Sequence, residues 1–141
     1  MMKRSGSAVW SGDLKSGTGK LSTDSGVLKG QAYGFGTRFA DGPGTNPEEL
    51  IGAAHAGCFS MALSMILGEH GLVAQSISTN AAVTLEEVDG GFAITKIHLD
   101  VMAEIPGAEE AVFLQAAEAA KAGCPVSKLM TAEITLSAKL S

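Results

Sequence analysis

The stretch Leu50 to Leu67 (LIGAAHAGCFSMALSMIL) runs for 18 residues without a formal charge, and it limits the fold more sharply than any other part of the chain. Before it stands a dense turn segment, Asp41-Gly42-Pro43-Gly44-Thr45-Asn46. Pro47 then occupies a first-helical position, and Glu48 and Glu49 follow in the first turn, where negative charge suits the helix dipole. A helix from Pro47 to about His70 follows, with Gly71 as a left-handed cap. Apolar residues on nearly every face predict that it is buried all round. The 18 uncharged residues are the lower limit for a membrane span. However, the run holds His55, Ser60, Ser64, two glycines and four alanines, and acids rather than basic anchors flank it. It therefore reads as the core helix of a soluble protein, not as a membrane segment.

The rest of the chain supports a single domain over residues 1–141. A hydrophobic content of 45% against 18% charged residues is enough apolar surface to offset chain entropy and excludes disorder. Ten Lys and Arg against 15 Asp and Glu give a net charge of −5, which disfavours nucleic acid and anionic membrane surfaces as partners. The two cysteines, Cys58 and Cys124, are too few for a disulfide scaffold, and they lack the paired spacing of a zinc finger. No apolar stretch follows Lys3 and Arg4, so no secretory signal is predicted and the reducing cytoplasm is the expected compartment.

Short strands with glycine turns are predicted at Ser7–Trp10, Lys20–Ser22 and around Val27–Phe35. Residues 76–88 and 92–105 read as a hairpin turning at Asp89-Gly90-Gly91. The parity of its apolar positions changes between Ile94 and Ile97, as a bulge or a change of packing face would produce. Residues 109–122 form an Ala-rich helix stopped by Gly123; Cys124-Pro125 opens a short helical turn through Met130, and Ile134, Leu136, Ala138 and Leu140 alternate as a closing strand. The sum is an α+β fold: an antiparallel sheet, a long buried central helix and a second helix.

Several residues could carry chemistry, each with an inert alternative. Cys58 in mid-helix is equally a small core hydrophobe. Cys124 can cap the turn from Pro125, where backbone N–H groups favour a thiolate, or can simply pack. His55, Cys58 and Cys124 together could ligate a metal, although a satisfied core histidine is the commoner outcome. Arg38 reads as an exposed arginine at a strand end. Glu48 and Glu49 are accounted for by the helix dipole.

Taken together, four segments resemble the OsmC/Ohr family, in its osmotically inducible protein C branch. They are Gly34-Phe35-Gly36-Thr37-Arg38-Phe39, the run from Gly44-Thr45-Asn46-Pro47-Glu48-Glu49 through Cys58 to Ser64, Gly91-Phe92-Ala93-Ile94-Thr95-Lys96-Ile97, and Ala120-Lys121-Ala122-Gly123-Cys124-Pro125-Val126-Ser127. The resemblance implies an OsmC-like fold in an intertwined homodimer with active sites at the interface. It implies a thiol-dependent hydroperoxide reductase with no bound cofactor and no metal, reset by an external thiol or dithiol. Carried over by position, Cys58 is the peroxidatic cysteine and Cys124 the resolving one, with Arg38 and Glu48 activating the thiol. An apolar pocket with Met61, Met65, Phe39 and Phe59 nearby would favour organic hydroperoxides over hydrogen peroxide. The alternatives are a non-catalytic thiol redox sensor and a metal-binding module.

Helix geometry adds a constraint of its own. Glu48 and Cys58 are ten residues apart, so on one straight helix they are separated by about 15 Å along the axis and by about 80° around it. Glu48 then serves a Cys58 only from a partner subunit. Two copies crossing near residue 53 achieve this, and the small residues of Gly52-Ala53-Ala54-His55-Ala56-Gly57 would permit the close approach.

Overall fold

A computed structural model describes residues 1–141, which divide into two compact units, Met1–Leu50 and Ile51–Ser141. In the first, β1 (Gly6–Ser11), β2 (Thr18–Thr23) and β3 (Gln31–Tyr33) form an antiparallel sheet in that order. Gly19 on β2 is required by close packing. A Cβ there would lie 2.3 Å from the Tyr33 ring and 2.8 Å from that of Trp10, two rings whose centroids are 5.6 Å apart. The third strand is shorter than the pattern suggests because residues 27–30 turn: the Leu28 N–H donates to Thr23 Oγ1 and the Thr23 N–H to the Leu28 carbonyl.

Residues Phe35–Phe39, expected as a strand end, instead form the short helix α1. The cause is local. Thr37 Oγ1 accepts from the Gly34 N–H and donates to the Gly34 carbonyl, closing the first turn on itself. Phe35 and Phe39, four residues apart, then stack with centroids 4.9 Å apart.

Helix α2 (Pro47–Glu69) starts at the end of the first unit and runs into the second. Asn46 caps it, its Oδ1 accepting from the Glu49 N–H. Gly71, at φ +69°, ends it as the sequence predicts, with the Leu72 N–H closing back to the Leu67 carbonyl.

In the second unit, β4 (Ser76–Val88), β5 (Gly91–Glu104) and β6 (Glu133–Leu140) form a sheet in that order. The β4–β5 hairpin turns through Asp89 and Gly90, both with positive φ. Its register slips where Thr84 faces Lys96 and Leu85 faces Ile94, leaving Thr95 as the extra residue. This bulge is the parity change seen in the sequence, and it keeps both Ile94 and Ile97 on the core side. The sheet is not wholly antiparallel: β6 runs parallel to β5, reached through α3 (Glu110–Gly123) and α4 (Pro125–Leu129).

Ile97, Leu99, Val101 and Ala103 of β5 are buried against Phe59, Leu63 and Leu67 of α2 and Phe113, Ala116, Ala117 and Ala120 of α3. Each fully buried large side chain contributes about 1.5–3 kcal/mol of transfer free energy. Helix α2 is therefore buried along one stripe, Gly52, His55, Phe59, Leu63 and Leu67, and not all round; Ala53, Ala54, Gly57, Met61 and Met65 are exposed in the single chain. Gly52 meets β4 so closely that a Cβ would lie 2.9 Å from the Ala81 carbonyl oxygen. By length and composition alone α2 could cross a membrane, but its buried stripe packs as a core helix does.

Candidate active site

Two constellations hold the chemically capable side chains, one in each unit. In the second unit, α2 brings Cys58 to the residues that open α4. Cys124 caps that short helix, its Sγ accepting from the Ser127 N–H at 3.3 Å. The Val126 N–H donates to Cys58 Sγ at 3.5 Å, so successive backbone amides serve the two sulfurs. Both thiols are free, and they are near enough for Cys124 to influence the Cys58 thiol. The structure thus brings together two cysteines 66 positions apart in sequence.

Their surroundings differ. Cys124 is fully buried, whereas Cys58 is half-buried and lines an apolar pocket of about 550 Å³ with Met61, Ala62, Met65, Ile66 and Pro125. Burial pushes the Cys58 thiol above its ordinary range, and the neighbouring Cys124 pushes in the same direction. The Val126 amide is what opposes this by favouring the thiolate. Met61 and Met65 line the pocket as the sequence predicts. Phe59 does not: one position on from Cys58, it turns about 100° around the helix and enters the core. Phe39 belongs to the first unit.

Sequence reasoning did not single out Ser127. It is buried, and its Oγ lies 3.1 Å from Cys124 Sγ and 2.7 Å from Nε2 of the fully buried His55. The available signal was its place three residues after a capping cysteine. No three His, Cys, Asp or Glu side chains are grouped so that they could hold a metal ion, and His55 faces Ser127.

In the first unit, Arg38 from α1 directs Nε (2.9 Å) and a terminal guanidinium nitrogen (2.8 Å) onto Glu48 Oε1. Arg38 is no free strand-end arginine. Its guanidinium also lies 5.5 Å from the Phe39 ring centroid. Glu48 is only 8% exposed and its Oε2 has no partner, which helix-dipole compensation does not explain. Arg38 and Phe39 also line a pocket of about 210 Å³ with Trp10, Leu14, Tyr33 and Phe35.

Residues 40–139 match the OsmC-like protein family. Peroxiredoxin OsmC of Escherichia coli (strain K12) is 57% identical over 137 residues, covering 97% of this chain and 96% of that protein. The chain belongs to the OsmC-like family. Its fold also matches that of an OsmC-like protein of unknown function from Vibrio cholerae, with a TM-score of 0.78 at 17% identity, covering 98% of this chain and 99% of that one. The organic hydroperoxide resistance protein OhrB of Bacillus subtilis superposes with a TM-score of 0.69 at 24% identity, covering 97% and 98%. Within the OsmC-like family, then, the mixed α+β architecture is shared at identities too low to carry anything but the fold.

Proposed function

We propose that this OsmC-like chain, acting as one domain over residues 1–141, is a cysteine-based peroxidase that reduces organic hydroperoxides, and hydrogen peroxide more weakly. The observation that carries the reading is the half-buried Cys58 thiol opening on an apolar pocket with the buried Cys124 thiol against it. The 57% identity to a protein named peroxiredoxin supports it over a non-catalytic redox sensor.

The Cys58 thiolate attacks the distal oxygen of the O–O bond, the alcohol leaves, and Cys58 is left as sulfenic acid. Cys124 displaces hydroxide from that sulfur, forming the Cys58–Cys124 disulfide and water, and two thiols of an external reductant then restore both cysteines. No bound cofactor takes part, and the hydroperoxide and the thiol are the small-molecule partners in a reducing cytoplasm. A thiol raised by burial needs a cation to become a nucleophile at neutral pH. Arg38 supplies it, with Glu48 fixing the guanidinium plane. Because the helical rise separates Glu48 from Cys58 on one chain, the pair acts from the partner of a homodimer. The exposed apolar side of α2 supports that association.

The deciding experiment is steady-state turnover with cumene hydroperoxide and with hydrogen peroxide, each with a monothiol and a dithiol reductant. Cys58→Ser abolishes consumption of both peroxides, and Cys124→Ser traps Cys58 as sulfenic or higher acids. Full activity of Cys58→Ser would refute the reading, and equal rates on both peroxides would remove the organic preference.

A further inference from the structure

The peroxidase reading leaves one buried titratable group without a task. His55 is fully buried, and its Nε2 lies 2.7 Å from Ser127 Oγ, which in turn lies 3.1 Å from Cys124 Sγ. The three side chains form a continuous line from a nitrogen base to the buried sulfur. We propose that His55, acting through the Ser127 hydroxyl, is the proton acceptor for Cys124 when that thiol attacks the Cys58 sulfenic acid.

The line fits both proton states without moving a heavy atom. With Cys124 as a thiol, S–H donates to Ser127 Oγ and the Ser127 O–H donates to Nε2. With Cys124 as a thiolate, Nε2–H donates to Oγ and the Ser127 O–H donates to sulfur, which the Ser127 backbone N–H also serves. A buried thiol has no water to take its proton, so resolution needs such an internal acceptor. Burial holds the His55 pKa below its ordinary value, so the resting ring is neutral and Nε2 can accept the Ser127 O–H. The other ring nitrogen, Nδ1, has no partner; in the tautomer that leaves Nε2 free, it carries the ring's proton.

The step balances. Cys124 gives its proton through Ser127 to His55 and its electron pair to the Cys58 sulfur, which releases hydroxide; hydroxide becomes water with a proton from solvent. During reduction an external thiol gives its proton to solvent, and as thiolate attacks Cys58 and expels the Cys124 thiolate. In the oxidised protein the ring, kept neutral by burial, returns its proton to solvent; the expelled Cys124 thiolate is then reprotonated along the same line, and a second reductant thiol releases Cys58 from the mixed disulfide. The proposal rests on Cys58 and Cys124 being the peroxidatic and resolving pair. His55 is thus a positioning and proton-holding residue, since Ser127 alone touches the reacting sulfur.

The test follows two phases after a single pulse of cumene hydroperoxide: sulfenic acid on Cys58, by trapping with a cyclic 1,3-dione and mass spectrometry, and disulfide, by alkylation. In the wild-type protein the second phase changes by less than about threefold between pH 6.5 and 8.5. Ser127→Ala and His55→Gln slow it at least about 10-fold at pH 7 and make it rise about 10-fold per pH unit, as expected of a thiol ionising without a base. Ser127→Thr restores the wild-type profile, while the first phase is unchanged in all three. Wild-type rate and profile in Ser127→Ala would overturn the relay. Should the variants not fold, the wild-type protein in D₂O decides: a second phase slowed about twofold or more supports the relay, and no slowing overturns it. Failure of the first phase in wild-type protein would instead sink the peroxidase reading itself.

Discussion

Cys58 has the wrong intrinsic acidity for a nucleophile. Burial and Cys124 both raise its pKa, and a single long N–H···S bond from Val126 opposes them. In the proposed mechanism a guanidinium therefore does more than orient peroxide. Arg38→Ala is expected to slow Cys58 oxidation by about 100-fold, and Arg38→Lys to recover part of it, since an ammonium supplies charge but not the planar fork set on Glu48 Oε1. Stopped-flow oxidation with cumene hydroperoxide measures both; Arg38→Ala reacting at the wild-type rate would remove Arg38 from the machinery. His55 makes a separate prediction about stability. Its folded pKa is below the 6.5 of the unfolded chain, so below about pH 6.5 the unfolded state binds a proton that the native state refuses. Stability contributed by the neutral ring is present above that value and is lost as pH falls from it toward the folded pKa. Denaturant midpoints between pH 7 and 5 should fall more steeply for the wild-type protein than for His55→Gln, which carries no titrating ring.

At the scale of elements, the signals that proved legible were local and chemical. The Gly71 cap of α2 and the Asp89-Gly90 turn appear in the sequence as residue types suited to positive φ, and the bulge at Thr95 appears as a change in the parity of apolar positions. What escaped was context. Gly34-Phe35-Gly36-Thr37 looks like strand punctuation until Thr37 closes on Gly34. The direction of β6 depends on the path through α3 and α4, which alternation of apolar residues does not encode. At the site, the cysteines were visible by their scarcity, but Ser127 had no mark except its spacing from Cys124. Gly52 shows how packing reinterprets a residue: its small size, expected to serve contact between two copies of the helix, is used within the chain against the Ala81 carbonyl. Gly52→Ala therefore forces α2 off β4 and should cost about 1–3 kcal/mol in chemical denaturation, despite alanine's better helix propensity. A stabilised variant would show that the strand yields instead.

For the whole molecule, the proposed dimer assigns each Glu48 to the Cys58 of the other copy. Helix α2 is unbroken from Pro47 to Glu69, so the two side chains of one chain are held about 15 Å apart along its axis. Its exposed side carries Ala53, Ala54, Gly57, Met61 and Met65, small toward the N-terminal half and large beyond. Such a surface suits an isologous pairing in which two copies cross antiparallel and each Glu48 reaches the other's Cys58. Sedimentation should accordingly report a dimer, and Ala54→Arg, placed on the exposed side, should give folded monomers with little peroxidase activity. Mixing two inactive variants tests the shared site directly. Cys58→Ser keeps Glu48, and Glu48→Ala keeps Cys58, so after random exchange of subunits half of the dimers hold one intact site, and activity should return to about a quarter of the wild-type value. If Glu48 acts within its own chain, no mixed dimer contains an intact site and the mixture stays as inactive as its components.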